Sequence, residues 1–188
     1  MRKNLGAKSC IYPEPVIVVG TYDEDGNADA MTAAWGGISD TNELMLCLSF
    51  EHKTTQNILN KKCFTASVGT KDTYIQCDYV GMVSGNDVKD KLERCGLHQL
   101  KAEHIDAPLF EELPFALECE LISYDKENGH LFAKIINISV DEKVMSNDKV
   151  DINKLQPIIF DGLNNTYNII GEKIGNAFVD YKKVENEK

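Results

Sequence analysis

The chain has 188 residues, 43% of them hydrophobic and 27% charged, with a formal net charge of −10. That length suits a single domain over residues 1–188. Proteins that bind nucleic acid or an anionic membrane surface usually carry a basic stripe, and this acidic chain has none. No apolar run reaches the roughly 20 residues of a membrane-spanning helix, and no secretion signal is present, so we expect a cytoplasmic protein.

The first half of the chain shows strand patterns separated by turn residues. An apolar, β-branched run is followed by Asp25 and Gly26, a strong hairpin signal that predicts a returning strand. A helix follows the third strand, with Thr54 or Thr55 as its cap. The predicted elements are strands at residues 15–21, 28–35, 43–50 and 63–69, and a helix at 54–62.

The second half continues with short helices and one long hairpin. Residues 114–124 alternate between apolar and polar side chains, the period of a half-buried strand, and Asn128 with Gly129 turns the chain back. Strands joined by hairpins, with few helices, predict a mainly β, antiparallel barrel with helical additions. The remaining predicted elements are helices at 72–80, 87–95 and 174–181, strands at 131–140, 157–160 and 167–170, and a frayed charged tail after Lys182.

The six cysteines and four histidines are scattered along the chain without zinc-site spacing. Most of the cysteines fall in apolar runs, where a free thiol packs as a small hydrophobe. We therefore expect reduced thiols and no metal site.

Residues 49–58 carry an excess of groups that favour an anion. Three hydroxyls, from Ser49, Thr54 and Thr55, precede or begin the predicted helix together with the cation of Lys53. Free N–H groups and the dipole at a helix N-terminus stabilise negative charge, so this segment suits a phosphate. The alternative is that Thr54 only caps the helix while His52 and Lys53 lie in solvent.

Residues 29–37 place the only tryptophan, Trp35, beside small residues and two glycines. Small side chains allow a flat ligand to approach the backbone, and Met31 or Trp35 could cover one face of a ring. The alternative is a strand that ends in a Gly-Gly turn, with Trp35 as a core anchor.

These segments resemble the flavin reductase-like family, and within it the flavoredoxin-like branch, over roughly residues 10–180. The order and spacing of the matching pieces carry the resemblance. The pieces are residues 12–16, 20–23, 30–35, Ser49 with 53–58, 83–85 with 90–91, 107–109, 117–119, 157–162, and Tyr167 with 171–172.

The resemblance implies a split β-barrel of the antiparallel Greek-key type that binds FMN non-covalently at the interface of a homodimer. Met31 and Thr32 would line the isoalloxazine ring, and the phosphate would be held by Ser49, Lys53, Thr54 and Thr55, with Asn57 supporting that loop. Ala66 and Ser67 would contact the ring or the ribityl chain. The loop beside the flavin would be formed by Ser84, Gly85 and Lys91, and Tyr167 would lie near the site, from either subunit. The residues expected to bind the cofactor are Met31, Thr32, Ala33, Trp35, Ser49, Phe50, Lys53, Thr54, Thr55, Asn57, Ala66, Ser67, Ser84, Gly85, Lys91 and Tyr167.

Two positions depart from the family pattern. Many relatives have Arg where this chain has His52 and Lys53, and a lysine holds phosphate with less directional bonding. Relatives often have Tyr where this chain has Phe160, so a hydroxyl contact is lost there.

Neither a Ser-His-Asp set nor a carboxylate pair is evident, and we expect no catalytic side chain because a flavin carries its own chemistry. A G-x-G-x-x-G motif is also missing, so NAD(P)H would bind only transiently.

Three hypotheses for the function stay open. The first is an oxidoreductase that passes hydride from NAD(P)H through FMN to an acceptor. The second is a flavoredoxin-type electron carrier reduced by a protein partner. The third is a non-redox barrel that binds haem, a pyridoxine-type ligand or nothing.

Overall fold

The computed structural model describes residues 1–185 and is mainly β. The strands are β1 (Glu14–Pro15), β2 (Ile17–Tyr22), β3 (Ala28–Ala33), β4 (Gly36–Asp40), β5 (Glu43–Cys47), β6 (Cys63–Val68), β7 (Gln99–Lys101), β8 (Pro108–Phe110), β9 (Phe115–Asp125), β10 (His130–Val140), β11 (Met145–Ser146), β12 (Lys149–Val150), β13 (Ile158–Asp161) and β14 (Thr166–Ile169). The helices are α1 (Lys53–Lys61), α2 (Tyr74–Met82), α3 (Lys91–Cys95), α4 (Ile152–Leu155) and α5 (Lys182–Glu185), with a 3-10 turn at Glu142–Val144.

Seven strands form one antiparallel sheet in the order β3-β2-β6-β9-β10-β5-β4. The two edge strands are consecutive in the chain, with only Ala34 and Trp35 between them. In a flat sheet, seven strands spaced about 4.8 Å apart would place these edges about 29 Å from each other. Two linking residues reach only about 10 Å, so the sheet must curl until its edges meet. The predicted split barrel is confirmed.

Strand β2 is buried on both faces, which explains its continuous apolar sequence. Ile17 and Val19 point into the barrel, where they join the cluster that includes Phe64. Val16 and Val18 point outward into a second cluster. Helix α2, strands β8 and β13 and the chain after α3 cover that outer face, so the barrel is packed from inside and outside.

The smaller sheets lie around this barrel. Strands β1, β13 and β14 form one three-stranded sheet, β7 pairs with β8, and β11 pairs with β12. The three-stranded sheet contributes Ile158 to the outer cluster and packs Phe160 and Tyr167 against it. It therefore sits against the same face of the barrel as α2.

Most predicted elements occur, with differences at β4, α3, residues 174–181 and α5. Strand β4 occupies the stretch after Trp35, and Trp35 is 55% exposed, so the alternative of a Gly-Gly turn with Trp35 as a core anchor is wrong. The helix predicted at 87–95 is only α3. The helix predicted at 174–181 is wrong: the segment has turns, and Ile174 and Phe178 are 97% and 95% exposed, so no surface supports a helix there. Helix α5 begins where the frayed tail was predicted, and residues 186–188 lie outside the described residues.

The six cysteines are unpaired thiols, and Cys63, Cys77 and Cys119 are buried. Burial raises the pKa of Cys77 to about 11 and that of Cys119 to about 12. These thiols therefore remain protonated at neutral pH. Across residues 1–185, none of the helices has the length and apolar character needed to cross a membrane.

Candidate functional site

Two adjoining clefts lie between the start of α1 and the end of β3. The larger has a volume of about 590 Å³ and the smaller about 180 Å³. Met31 and His52 line both, so the two clefts are direct neighbours. The other residues of the larger cleft are Thr32, Ala33, Ala34, Trp35, Cys47, Leu48, Ser49, Phe50, Glu51, Lys126, Glu127, Asn128, Gly129 and Phe160. Those of the smaller cleft are Lys53, Thr54, Val80, Gly81, Met82, Val83, Ser84, Gly85 and Lys91.

Helix α1 begins at the junction of the two clefts without a capping side chain. Its N-cap residue is His52, in an extended conformation, and the first turn holds no acidic residue. The predicted caps, Thr54 and Thr55, are wrong because both lie inside the helix. The first N–H groups of a helix have no partner within it, so this terminus offers unpaired donors and a partial positive charge.

Asp29 joins the smaller cleft to the barrel. It lies on β3, is only 2% exposed, and its carboxylate accepts a hydrogen bond of 2.5 Å from the Thr54 hydroxyl. Its other oxygen lies 2.8 Å from Nζ of Lys91. Asp29 was not among the predicted site residues. An acidic residue inside an apolar strand was the available signal, because buried charges are normally paired.

The second lysine of the smaller cleft is also paired. Nζ of Lys53 lies 3.2 Å from a carboxylate oxygen of Asp23, in the turn between β2 and β3. Burial acts to raise the pKa of Asp23, but hydrogen bonds from Asn27 and Lys53 outweigh it and hold that pKa below its ordinary value. Asp23 is therefore ionised at neutral pH, and the charge of Lys53 is partly neutralised.

Three large aromatic side chains contribute to the larger cleft. Trp35, Phe50 and Phe160 line it, and Nζ of Lys126 lies 3.7 Å from the centre of the Phe50 ring. An ammonium over an aromatic face is attracted by the ring quadrupole. This cleft thus combines flat apolar surfaces with a cation supplied by the turn between β9 and β10, a residue that the sequence analysis did not identify.

Ser49 does not offer a free hydroxyl. Its Oγ donates a short hydrogen bond to the carboxylate of Glu51, and this bond is the main cause that lowers the pKa of Glu51. The hydroxyl of Thr32 is likewise engaged, because it donates to the carbonyl oxygen of Cys77 at 2.5 Å. This second bond ties β3 to α2 beside the clefts.

The structure brings most predicted cofactor residues to the two clefts and leaves five outside both. Thr55 and Asn57 are on the buried face of α1, and Ala66 and Ser67 are buried on β6, separated from β3 by β2. Tyr167 donates a hydrogen bond of 2.8 Å to Asp78. Its ring centre lies 6.0 Å from that of Phe160, so Tyr167 meets the larger cleft only through that neighbour.

One trio of possible metal ligands occurs within residues 1–185, formed by His98, Glu111 and Glu112. His98 Nδ1 lies 2.6 Å from Glu112, and this hydrogen bond raises the pKa of His98. The trio borders neither of the two clefts.

The chain is similar to known proteins in both sequence and fold. The sequence profile described as "Flavin reductase like domain" matches residues 9–156. Flavoredoxin of Desulfovibrio vulgaris (Miyazaki F) is 35% identical, with a TM-score of 0.90 over 95% of this chain and 98% of that one. Flavoredoxin from Methanosarcina acetivorans is 24% identical, with a TM-score of 0.84 over 98% of each chain. The FMN-binding domain of a flavin reductases-like enzyme from Shewanella baltica is 22% identical, with a TM-score of 0.74 over 87% of this chain and 89% of that one.

Proposed function

Because the chain belongs to the flavin reductase-like family and to its flavoredoxin branch, we propose that it binds FMN non-covalently in the two adjoining clefts. The phosphate occupies the smaller cleft and the isoalloxazine ring occupies the larger one. The observation that carries this proposal is the uncapped start of α1, which opens beside an aromatic-lined cavity.

The residues of the smaller cleft fit a phosphate. Backbone donors at the start of α1, the ammonium of Lys53 and the hydroxyl of Ser84 border the same cleft. Charged donors to a phosphate form shorter and stronger hydrogen bonds than neutral pairs. A Cβ added to Gly85 would lie 3.1 Å from Cδ of Lys53, so the loop backbone approaches that lysine closely.

The residues of the larger cleft fit a planar ring. Trp35, Phe50 and Phe160 supply flat apolar faces. Aromatic faces stack with other π-systems in offset or tilted arrangements. When bound, the flavin would supply the hydride and electron transfer, and the chain would supply binding, orientation and partial exclusion of water.

Within this function we propose NAD(P)H as the electron donor, bound transiently over the exposed face of the ring. The larger cleft has a volume of about 590 Å³, which leaves space beside a ring for a second planar group. The six unpaired thiols suit a reducing compartment, and the cytoplasm is the proposed location.

A flavoredoxin-type electron carrier is the second candidate. Two of the similar structures are flavoredoxins, one at 35% identity. The net charge of −10 favours docking of a basic redox partner, because complementary charges steer association. In this case a reduced partner protein, and not NAD(P)H, would reduce the flavin.

We also propose a homodimer with the larger cleft at its interface. Trp35 at the edge of this cleft is 55% exposed, and Ile174 and Phe178 near the C-terminus are almost fully exposed. Large apolar side chains left in solvent commonly mark contacts with another chain. Sedimentation at several concentrations tests the proposal, and a monomer that retains FMN would contradict it.

The decisive experiment is the absorbance spectrum of the purified protein, before and after anaerobic addition of NADH or NADPH. A flavin spectrum that bleaches with either nucleotide supports the oxidoreductase. Bleaching only by a reduced partner protein supports the carrier. A colourless protein that takes up no added FMN would refute both the oxidoreductase and the carrier. It would favour the third hypothesis, a non-redox barrel that binds haem, a pyridoxine-type ligand or nothing.

A further inference from the structure

The smaller cleft has two walls that are far apart in sequence. One wall is the start of α1, with Lys53 and Thr54, and the other is the segment at residues 83–85, which follows α2. Neither wall belongs to the barrel sheet. Their separation must therefore be held by contacts between side chains.

Asp29 makes contacts that link both walls. Oδ2 of Asp29 accepts the hydrogen bond of 2.5 Å from Thr54, on the first wall. Oδ1 lies 2.8 Å from Nζ of Lys91, which also donates to the carbonyl oxygen of Val83 at 3.4 Å, on the second wall. A Cβ added to Gly85 would lie 2.5 Å from the same Oδ1, so the second wall packs directly on this carboxylate.

The Asp29–Lys91 pair is buried, in contrast to the pair between Lys53 and Asp23. The side chains of Asp29 and Lys91 are 3% and 4% exposed, whereas those of Asp23 and Lys53 are 16% and 24% exposed. Separating two buried charges leaves each without solvent, so the buried pair keeps its geometry while the exposed pair can rearrange. Asp29 is thus a fixed point between the walls.

We propose that Asp29 is a positioning residue for the phosphate of the bound flavin. It holds the hydroxyl of Thr54 and the ammonium of Lys91 in place and thereby sets the width of the smaller cleft. This inference rests on the proposed FMN site. Asp29 itself does not contact the phosphate, because its negative carboxylate would repel the negative phosphate.

The test compares FMN with riboflavin, which has the same ring and no phosphate. Asp29→Asn keeps the size of the side chain but removes the charge that pairs with Lys91. We expect the dissociation constant for FMN to rise about tenfold or more, because a displaced Thr54 or Lys91 would change the width of the cleft and weaken the charged hydrogen bonds to the phosphate. The constant for riboflavin should stay within about twofold, because its ring lies in the other cleft.

Glu118→Gln is the matched control. Glu118 is a second buried carboxylate, 1% exposed, and accepts hydrogen bonds from the backbone N–H of His104 at 2.9 Å and from Asn137 at 2.8 Å. It lines neither cleft. Its replacement is expected to lower stability and to leave the ratio of the two dissociation constants unchanged.

Thr54→Val is the second variant, in case Asp29→Asn does not fold. It removes one hydrogen bond to Asp29 and keeps the shape of the side chain, so FMN alone should bind more weakly. If either folded variant binds both FMN and riboflavin more weakly by the same factor, or binds both as tightly as the wild-type protein, Asp29 has only a structural role and the inference is overturned. If the wild-type protein binds neither compound, the proposed function fails and this inference fails with it.

Discussion

Nζ of Lys53 lies 3.2 Å from Oδ2 of Asp23, so the cation proposed to meet a phosphate already has a carboxylate partner. Both side chains are partly exposed, so water can reach the pair. Exposed ion pairs contribute about 0–1 kcal/mol, whereas a charged hydrogen bond to a phosphate is stronger. A phosphate that enters the smaller cleft would therefore compete with Asp23 for Lys53.

We expect Asp23→Asn to tighten FMN binding by up to about fivefold at low ionic strength, because it removes this competitor. The turn should survive, since Oδ1 of Asp23 accepts the backbone N–H groups of Asp25 and Asn27, and an asparagine keeps that oxygen. Fluorescence titration with FMN at low and high salt measures the effect. Salt should reduce the gain in FMN affinity, because it screens the charges. A variant that binds FMN more weakly than the wild-type protein would contradict the competition between Asp23 and the phosphate for Lys53.

Gly85→Ala tests how closely the loop wall packs on the buried carboxylate. The new Cβ would lie 2.5 Å from Oδ1 of Asp29, so the segment at residues 83–85 must move away and widen the cleft. We expect the dissociation constant for FMN to rise about tenfold, in line with the loss of one charged hydrogen bond. Gly171→Ala is the control, because a Cβ there meets nothing within 4 Å. Equal FMN affinities in the two variants would show that the loop does not border the phosphate.

Local sequence signals were enough to predict the hairpin of β2 and β3. The Asp25–Gly26 turn is present, with Gly26 at a φ of +83°, the left-handed conformation that glycine adopts without strain. Strand β4 was not predictable in this way. Gly36 lies in a strand because its neighbour β5 approaches closely, and a Cβ there would lie 2.5 Å from the side chain of Leu46. Such a tertiary contact leaves no local signal.

The sequence indicated which segments meet at the site but not their ion pairs. Lys53 and Thr54 were expected to hold a phosphate and Ser84 to lie in a loop beside the flavin, and the structure brings these residues to one cleft. The pairs that tie down the two lysines join segments distant in sequence, and spacing alone does not reveal which carboxylate meets which lysine. Asp29 was therefore missed, although it lies within the segment that carried the Trp35 argument.

Lys53→Met tests the contribution of a single cation to FMN binding. Methionine keeps most of the apolar stem of the side chain, so the variant removes mainly the charge. We expect FMN affinity to fall about tenfold and riboflavin affinity to stay constant. Lys61→Met is the matched control at the other end of α1, where Nζ of Lys61 lies 3.7 Å from Asp106. Unchanged FMN affinity in Lys53→Met would place the phosphate elsewhere.

Tyr167 makes the stability of the folded protein depend on pH in the alkaline range, and a single substitution isolates this effect. Burial and the hydrogen bond to Asp78 raise the pKa of Tyr167 to about 12. An unfolded chain loses that proton near its ordinary pKa of about 10, so between these values the unfolded state binds fewer protons than the folded state. The stabilisation is thus fully present below about pH 10 and is lost as the pH rises toward 12.

We expect the free energy of unfolding, measured with urea across this range, to fall more steeply in the wild-type protein than in Tyr167→Phe. The raised pKa values of Tyr22 and Tyr124 are common to both proteins and cancel in the difference. Parallel curves for the two proteins would show that the phenol is not held by Asp78, and that the three-stranded sheet beside Phe160 lacks this tie to α2.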